Sequence, residues 1–246
     1  GYFNRRCNMY RVGDIVETGR YGEVTVISTN GWRDITIQFQ RTGTKRKTNS
    51  SDLRKGLVKD TMQPTLFEVG YLGENWQEGK ARSEPHKLWR AMLHRVFGKN
   101  TNNKSYVNVS VCDKFLNFSE FEKWVLSCKY YHKDWELDKD LLSGSEKIYS
   151  EITCCFIPQE INLAIVKKPQ GKHLKGVRSS LDKYYASCRR GGCKEYLGTF
   201  DTELEAFHAY KHAKETYVKE LANKWKDQID PRVYEALMKY EVEITD

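Results

Sequence analysis

Lys183-Tyr184-Tyr185-Ala186-Ser187-Cys188-Arg189-Arg190 is the run whose residue types and spacing carry the most chemistry. Successive side chains of an extended strand point to opposite faces. Tyr184, Ala186 and Cys188 then pack inward, and Lys183, Tyr185, Ser187 and Arg189 stand outward. Arg178 from a preceding strand and Arg190 join that exposed area. A twisted sheet of this size fits the roughly 12 Å major groove of duplex DNA, where arginine donates two hydrogen bonds to guanine and lysine meets phosphate.

Charge is distributed to match. The 246 residues include 41 Lys+Arg and 33 Asp+Glu, a formal net charge of +8. Residues 1–60 hold 12 basic and 6 acidic side chains, residues 61–166 hold 13 and 14, and residues 167–200 hold 9 and 2. Two basic zones flank a neutral middle, as expected for a polyanion held at both ends; a solvated basic surface is the other reading. Arg41, Lys45, Arg46, Lys47 and Arg54 are expected around one polar loop, as a phosphate-contacting arm or as solvated charge. No apolar run approaches the ~18–20 residues of a membrane span, so a cytoplasmic protein is expected.

Other reactive residues form weaker patterns. Seven cysteines at 7, 112, 128, 154, 155, 188 and 193 show no repeating CxxC and read as reduced thiols. His208 and His212 are four apart on an expected helix, and without a third ligand a surface pair outweighs a metal site. His86 and His94 flank another helix. Phosphate-cradling glycine loops and Ser/Cys–His–Asp spacings are absent.

The elements that must position these residues fall into an α+β order. Residues 9–60 carry β-branched runs (Ile15-Val16, Val24–Ile27, Ile35–Phe39) punctuated by glycines, expected to close into a small β-barrel, with Asn30-Gly31 as a hairpin turn. Residues 1–8 precede Met9, which reads as a start, and no structural role is expected of them. Residues 61–84 read as a linker. In 85–166, Leu88, Trp89, Met92, Leu93, Val96 and Phe97 define one helix face, Tyr106–Val111 a strand, and Ser119 with Glu122 a capping box. Trp135–Leu142 and Lys147–Tyr149 are expected as a strand pair around Ser143-Gly144-Ser145. Ser150 is expected to cap a helical stretch that Pro158 breaks and Ile161–Ile165 continues. Residues 172–246 give three strands, a long helix capped by Thr202 with Glu205, and a last short helix from Asp230-Pro231.

The C-terminal residues also carry a resemblance. Lys175-Gly176-Val177-Arg178, Lys183-Tyr184-Tyr185-Ala186, Tyr196-Leu197-Gly198-Thr199-Phe200-Asp201-Thr202 and Glu205-Ala206-Phe207-His208-Ala209-Tyr210 resemble the ethylene-response-factor (Apetala-type) DNA-binding domain. That family lays its three-stranded sheet in the major groove, which implies DNA-facing roles for Arg178, Tyr185, Ser187 and Arg189. Tyr185 stands where basic or small residues are usual and Ser187 where Glu is usual, so base preference does not transfer.

The middle region resembles the HNH-type homing endonucleases of bacteriophages, to which such a domain is often appended. The likeness rests on Trp89–His94, Val111-Cys112, Phe118–Trp124, Leu137-Asp138-Lys139-Asp140-Leu141-Leu142, Lys147–Ser150, Cys154–Pro158 and Glu160-Ile161-Asn162. It implies a ββα-metal site in which a histidine activates water and acidic or amide groups hold one divalent ion. Asp138 falls at the base position, Asp140 at the following Asp, Asn162 at the terminal metal-binding Asn and Thr153 near the middle Asn. His132, six residues before Asp138, is the one imidazole expected to serve as a displaced base. Asp138, Asp140 and Asn162 would hold Mg²⁺ or another divalent metal through oxygen. A charged strand edge and a helix polar contact are the other reading of the same residues.

The expectation is a monomer of three parts that binds double-stranded DNA and cuts or nicks it with a divalent metal, with no small-molecule cofactor and no membrane. The alternative is a nuclease relative without its base, acting as a DNA-binding repressor or interference factor. Structured-RNA binding through the N-terminal part is a third reading.

Overall fold

A computed structural model describes residues 10–98, 108–144, 146–166 and 171–244. The expected start at Met9, Cys7, Ser145 of the expected turn and the first residues of the expected Tyr106–Val111 strand lie outside the described residues. The chain divides into two compact units, Gly1–Val107 with Asp113–Lys123, and Asn108–Cys112 with Trp124–Asp246. Both mix helix and strand.

The first unit begins with β1 (Ile15–Glu17), β2 (Glu23–Thr29), β3 (Ile35–Phe39) and β4 (Lys45–Thr48). They form an antiparallel meander in chain order, open at β1 and β4, and not the closed barrel expected. The short helix α1 (Ser50–Arg54) accounts for the open form. Its Leu53, with Val58, packs on Val24, Val26, Ile35, Ile37 and Phe39, covering the apolar face that barrel closure would otherwise hide. The basic segment is correspondingly a strand rather than a loop. Arg46 lies opposite the buried Ile37, while Lys45 and Lys47 lie opposite Gln38 and Thr36 on the other face. Asn30-Gly31 opens a five-residue connection in which Gly31 has positive φ, not a two-residue turn.

Helix α2 (Glu84–Phe97) starts where Ser83 accepts from the His86 N–H, with Pro85 in the first turn. Its Trp89, Met92 and Leu93 are buried, and the Trp89 indole donates to the Phe115 carbonyl at 2.8 Å. Phe115 sits on α3 (Asp113–Leu116), just before α4 (Phe118–Ser127). The expected capping box at Ser119 and Glu122 is not made. Asn117 Oδ1 takes the Ser119 N–H, the Ser119 hydroxyl donates to the Leu72 carbonyl, and Glu122 pairs with Lys80 at 2.6 Å.

In the second unit β5 (Ser110–Val111) pairs in parallel with β7 (Ile148–Tyr149), and β6 (Glu136–Asp138) pairs antiparallel with β8 (Cys155–Ile157). The expected pairing of the Trp135 and Lys147 runs is therefore absent. Residues 150–153 form a turn held by the Ser150 and Thr153 hydroxyls, 2.9 Å apart, and the stretch expected as helix after Ser150 becomes β8. Pro158 then opens α5 (Gln159–Ile165).

The C-terminal sheet has β10 (Lys183–Arg190) between β9 (Val177–Ser180) and β11 (Cys193–Phe200). Helix α6 (Glu203–Trp225) follows, with Thr202 and Glu205 forming the reciprocal cap expected. Asp230 caps α7 (Pro231–Met238). Two cores share α6. Its Ala206 and Phe207 pack with Val177 and Ala186 of the sheet, and its Tyr217, Val218, Leu221 and Ala222 pack with β8, α5 and α7.

Candidate nucleic-acid interface

The outer face of the C-terminal sheet follows from β10. Ala186 and Cys188 are buried on the α6 side, so the alternate residues Lys183, Tyr185, Ser187 and Arg189 face away. Residues directly opposite share a face. Arg178 and Thr199 therefore flank Tyr185, and Lys194 lies opposite Arg189. A register shift between Ala186 and Ser187 sets Ser187 opposite Tyr196, a bulge that sharpens the local twist. Gly176, with φ of 76°, sits where a Cβ would fall 2.1 Å from the Tyr210 ring, so β9 packs closely on α6 only with glycine there.

Lys194, Tyr196 and Thr199 are face residues that strand-by-strand reading missed. The signal was in the sequence. Gly191-Gly192 as a two-residue turn fixes Arg190 opposite Cys193, and the register follows as far as Ser187 and Tyr196, whereas Thr199 reaches its place opposite Tyr185 only through the bulge.

Charge sorts these side chains into two groups. Lys183 pairs with Asp201, and that hydrogen bond raises the lysine and lowers the aspartate from their ordinary values. Arg190 pairs with Glu220, lies 3.6 Å from Glu195 and sits over the Tyr217 ring. The hydrogen bond to Glu220 is the first cause of its raised pKa. Arg178, Arg189 and Lys194 have no carboxylate partner among the described residues. They line one groove of about 260 Å³ with Gly176, Val177, Ser187 and Cys188, and no acidic side chain lines it. A cleft of about 400 Å³ continues from Arg189 past Lys172, Lys175 and Lys214 over an apolar floor that includes Val177 and Tyr210. The arrangement can accept an extended anion and offers two guanidinium forks beside it.

In the N-terminal unit, Lys45 and Lys47 share one exposed side of β4, and Arg46 takes the other. Lys47 lies 3.9 Å from Asp34, an exposed pair of little energetic weight.

The central acidic residues are engaged locally. Asp138 ends β6 because its Oδ1 accepts the backbone N–H groups of Asp140 at 3.0 Å and Leu141 at 2.8 Å, folding the chain into a turn. Burial pushes its carboxyl above the usual aspartate range, against the pull of those two N–H groups. The exposed Asp140 pairs with the ammonium of Lys139, which is itself buried and lies 5.7 Å from the Tyr149 ring centroid. Thr153 donates to the Ile148 carbonyl at 2.5 Å. Asn162 is half-buried on α5. His132 is exposed with its ring 4.4 Å from that of Trp135. Among the described residues no three His, Cys, Asp or Glu side chains gather as a metal-holding group. A hard divalent ion needs several free oxygens. This donor set, with one carboxylate folded on its own turn and the other on an ammonium, does not fit one.

Of the remaining histidines and cysteines, His86, Cys154, Cys155 and Cys188 are buried in the packed interior. His86 is buried against Trp76, Trp89 and Phe118, and burial followed by the Arg90 charge lowers its pKa. His208 and His212 are exposed. The six described cysteines are free thiols. Burial pushes Cys128 up to about 11 and Cys154 up to about 12, and raises Cys155 and Cys188 as well, leaving them protonated and poorly nucleophilic. No described helix is long and apolar enough to cross a membrane.

Comparison with known proteins adds no assignment: no family model matches the chain, and no curated protein or solved structure matches it significantly.

Proposed function

We propose that the chain binds double-stranded DNA through the outer face of β9, β10 and β11, and that the central region serves this binding as a scaffold. The observation that carries the reading is the groove holding Arg178, Arg189 and Lys194 with no acidic lining residue. Three cations held together without counter-charges on a solvated sheet suit a polyanion, and arginine forks suit guanine edges in the major groove. Tyr185, Ser187 and Thr199 supply further hydrogen-bonding groups on the same face. On this reading the protein acts as a sequence-selective DNA-binding regulator or interference factor.

Metal-dependent cleavage, in the manner of a ββα nuclease, is favoured by one observation: the antiparallel pair β6 and β8 runs directly into α5, which carries Asn162. The engagement of Asp138 and Asp140 described above weighs against it. Two measurements separate the readings. Fluorescence anisotropy with a labelled duplex should show binding that an unlabelled duplex competes away and a structured RNA does not. Supercoiled plasmid incubated with the protein and Mg²⁺, Mn²⁺ or Zn²⁺ should stay supercoiled; metal-dependent nicking lost in Asp138→Ala would restore the nuclease.

A further inference from the structure

Both ends of β10 turn in two residues, with different chemistry. Gly191 and Gly192 close β10 onto β11 with φ of 55° and 86°, and Leu181 and Asp182 close β9 onto β10 with φ of 46° and 56°. Two positive φ values in a two-residue hairpin are the type I′ form, which matches strand twist and selects Gly, Asn or Asp. Asp182 conforms. Leu181 does not, since a bulky L-residue with positive φ is a steric outlier. Packing within the chain does not compensate it: Leu181 is 92% exposed. An exposed leucine alone means little. A leucine kept in a conformation that glycine or asparagine adopts at lower cost, on a hairpin of the candidate interface, points to a contact outside the chain.

We propose that Leu181 reads DNA directly, its side chain packing against the 5-methyl group of a thymine in the major groove. The inference rests on the DNA-binding reading of the sheet. The outer face of the hairpin leads to this tip through Arg178 and Tyr185, then Ser180 and Lys183, which are opposite pairs in the register. Asp182 beside it is exposed and has no cation partner among the described residues, so a phosphate at the tip would be repelled. That directs the tip to base edges rather than to the backbone. The apolar group a protein meets on the major-groove edge is the thymine methyl, and the Asp182 carboxylate can accept from a neighbouring cytosine amino group.

The test uses the full chain and a duplex selected from a randomised library. Each thymine is replaced singly by deoxyuridine, which removes only the methyl. One replacement should weaken wild-type binding about fourfold, the worth of one buried methyl. Leu181→Ala should lose a similar factor and become insensitive to that replacement. Leu181→Asn, which relieves the left-handed backbone, should melt higher than wild type and bind more weakly. A Leu181→Ala variant that binds as wild type does, or that keeps its deoxyuridine sensitivity, overturns the proposal, as does a Leu181→Asn variant with unchanged affinity. A wild-type chain that binds no duplex removes this inference together with the reading beneath it. Duplex binding that depends on Arg178 and Arg189 but not on Leu181 removes this inference alone.

Discussion

Arg189 on β10 stands directly opposite Lys194 on β11, and no described carboxylate pairs with either. Like charges opposite one another on a sheet are destabilising, by roughly the 0.2–1 kcal/mol that opposite charges contribute. The next residue, Arg190, shows the usual remedy in its pairing with Glu220. Lys194→Glu should therefore raise the melting temperature while weakening duplex binding. A thermal melt and an anisotropy titration on one preparation check both, and a variant that gained stability with no loss of affinity would remove Lys194 from the interface.

Arg178→Ala and Arg189→Ala should each cost about 1–3 kcal/mol on a preferred duplex and less on random DNA, through loss of a two-pronged base contact. Lys183→Ala, whose ammonium is already held by Asp201, should cost less than either. Equal losses on both DNAs would reassign the arginines to phosphate.

Binding should weaken with salt at a logarithmic slope of about 0.9 per phosphate contacted. If Lys45 and Lys47 touch the backbone from their shared side of β4, replacing both by Ala should lower the slope by up to about 2 without changing sequence preference. Arg46→Ala, on the opposite side of the strand, should leave it unchanged. An unaltered slope in the double variant would confine binding to the C-terminal sheet.

Asp138→Asn should stabilise the fold at neutral pH. Asparagine keeps an oxygen for the N–H groups of Asp140 and Leu141 and carries no charge to bury. Because burial raises the folded-state pKa of Asp138, its stability contribution is full below the ordinary aspartate value and is lost as pH rises through the folded value. The variant should melt above wild type at about pH 7 and converge with it near about pH 3. Melts that stay parallel across that range would show that the carboxylate is not held in the burial described.

His86 has the opposite sign. Its pKa is lowered, first by burial, so the unfolded chain binds the proton more tightly and stability falls as pH drops below the ordinary histidine value. His86→Phe, packed among the same aromatic rings, should lose less stability than wild type between about pH 7 and about pH 5. An identical loss in both proteins would assign the acid sensitivity elsewhere.

The C-terminal elements were legible because their signals are local and long. Eight alternating residues define β10, and Thr202 with Glu205 marks the start of α6. The middle was harder for physical reasons. The alternation of Trp135–Leu142 suggests one strand, but Asp138 captures two N–H groups and ends it after three residues. Cys155–Ile157 is a short apolar run whose helix and strand readings look alike until a partner strand is known. Ser119 and Glu122 have cap spacing, yet Asn117 reaches the exposed N–H first. Barrel closure depends on whether β1 meets β4, which no local pattern records. At the candidate interface Arg178, Lys183 and Arg189 were readable one strand at a time, and Lys194 only through the register of β11 on β10. Which of them are neutralised was not, because Asp201 and Glu220 arrive from β-to-helix and helix positions distant in sequence.

The division of α6 between two cores bears on transplantation. A fragment from residue 172 onward would carry the sheet, α6 and α7, but it would lose Cys155, Ile157, Ile161 and Ala164, which pack with Tyr217, Val218, Leu221 and Ala222. With only α7 left to cover it, the second half of the helix would expose the apolar side that β8 and α5 bury, and the excised piece would self-associate rather than behave as a cartridge. Grafting this reader onto another protein thus requires the β6–β8–α5 segment to travel with it, or those helix positions to be rewritten as polar.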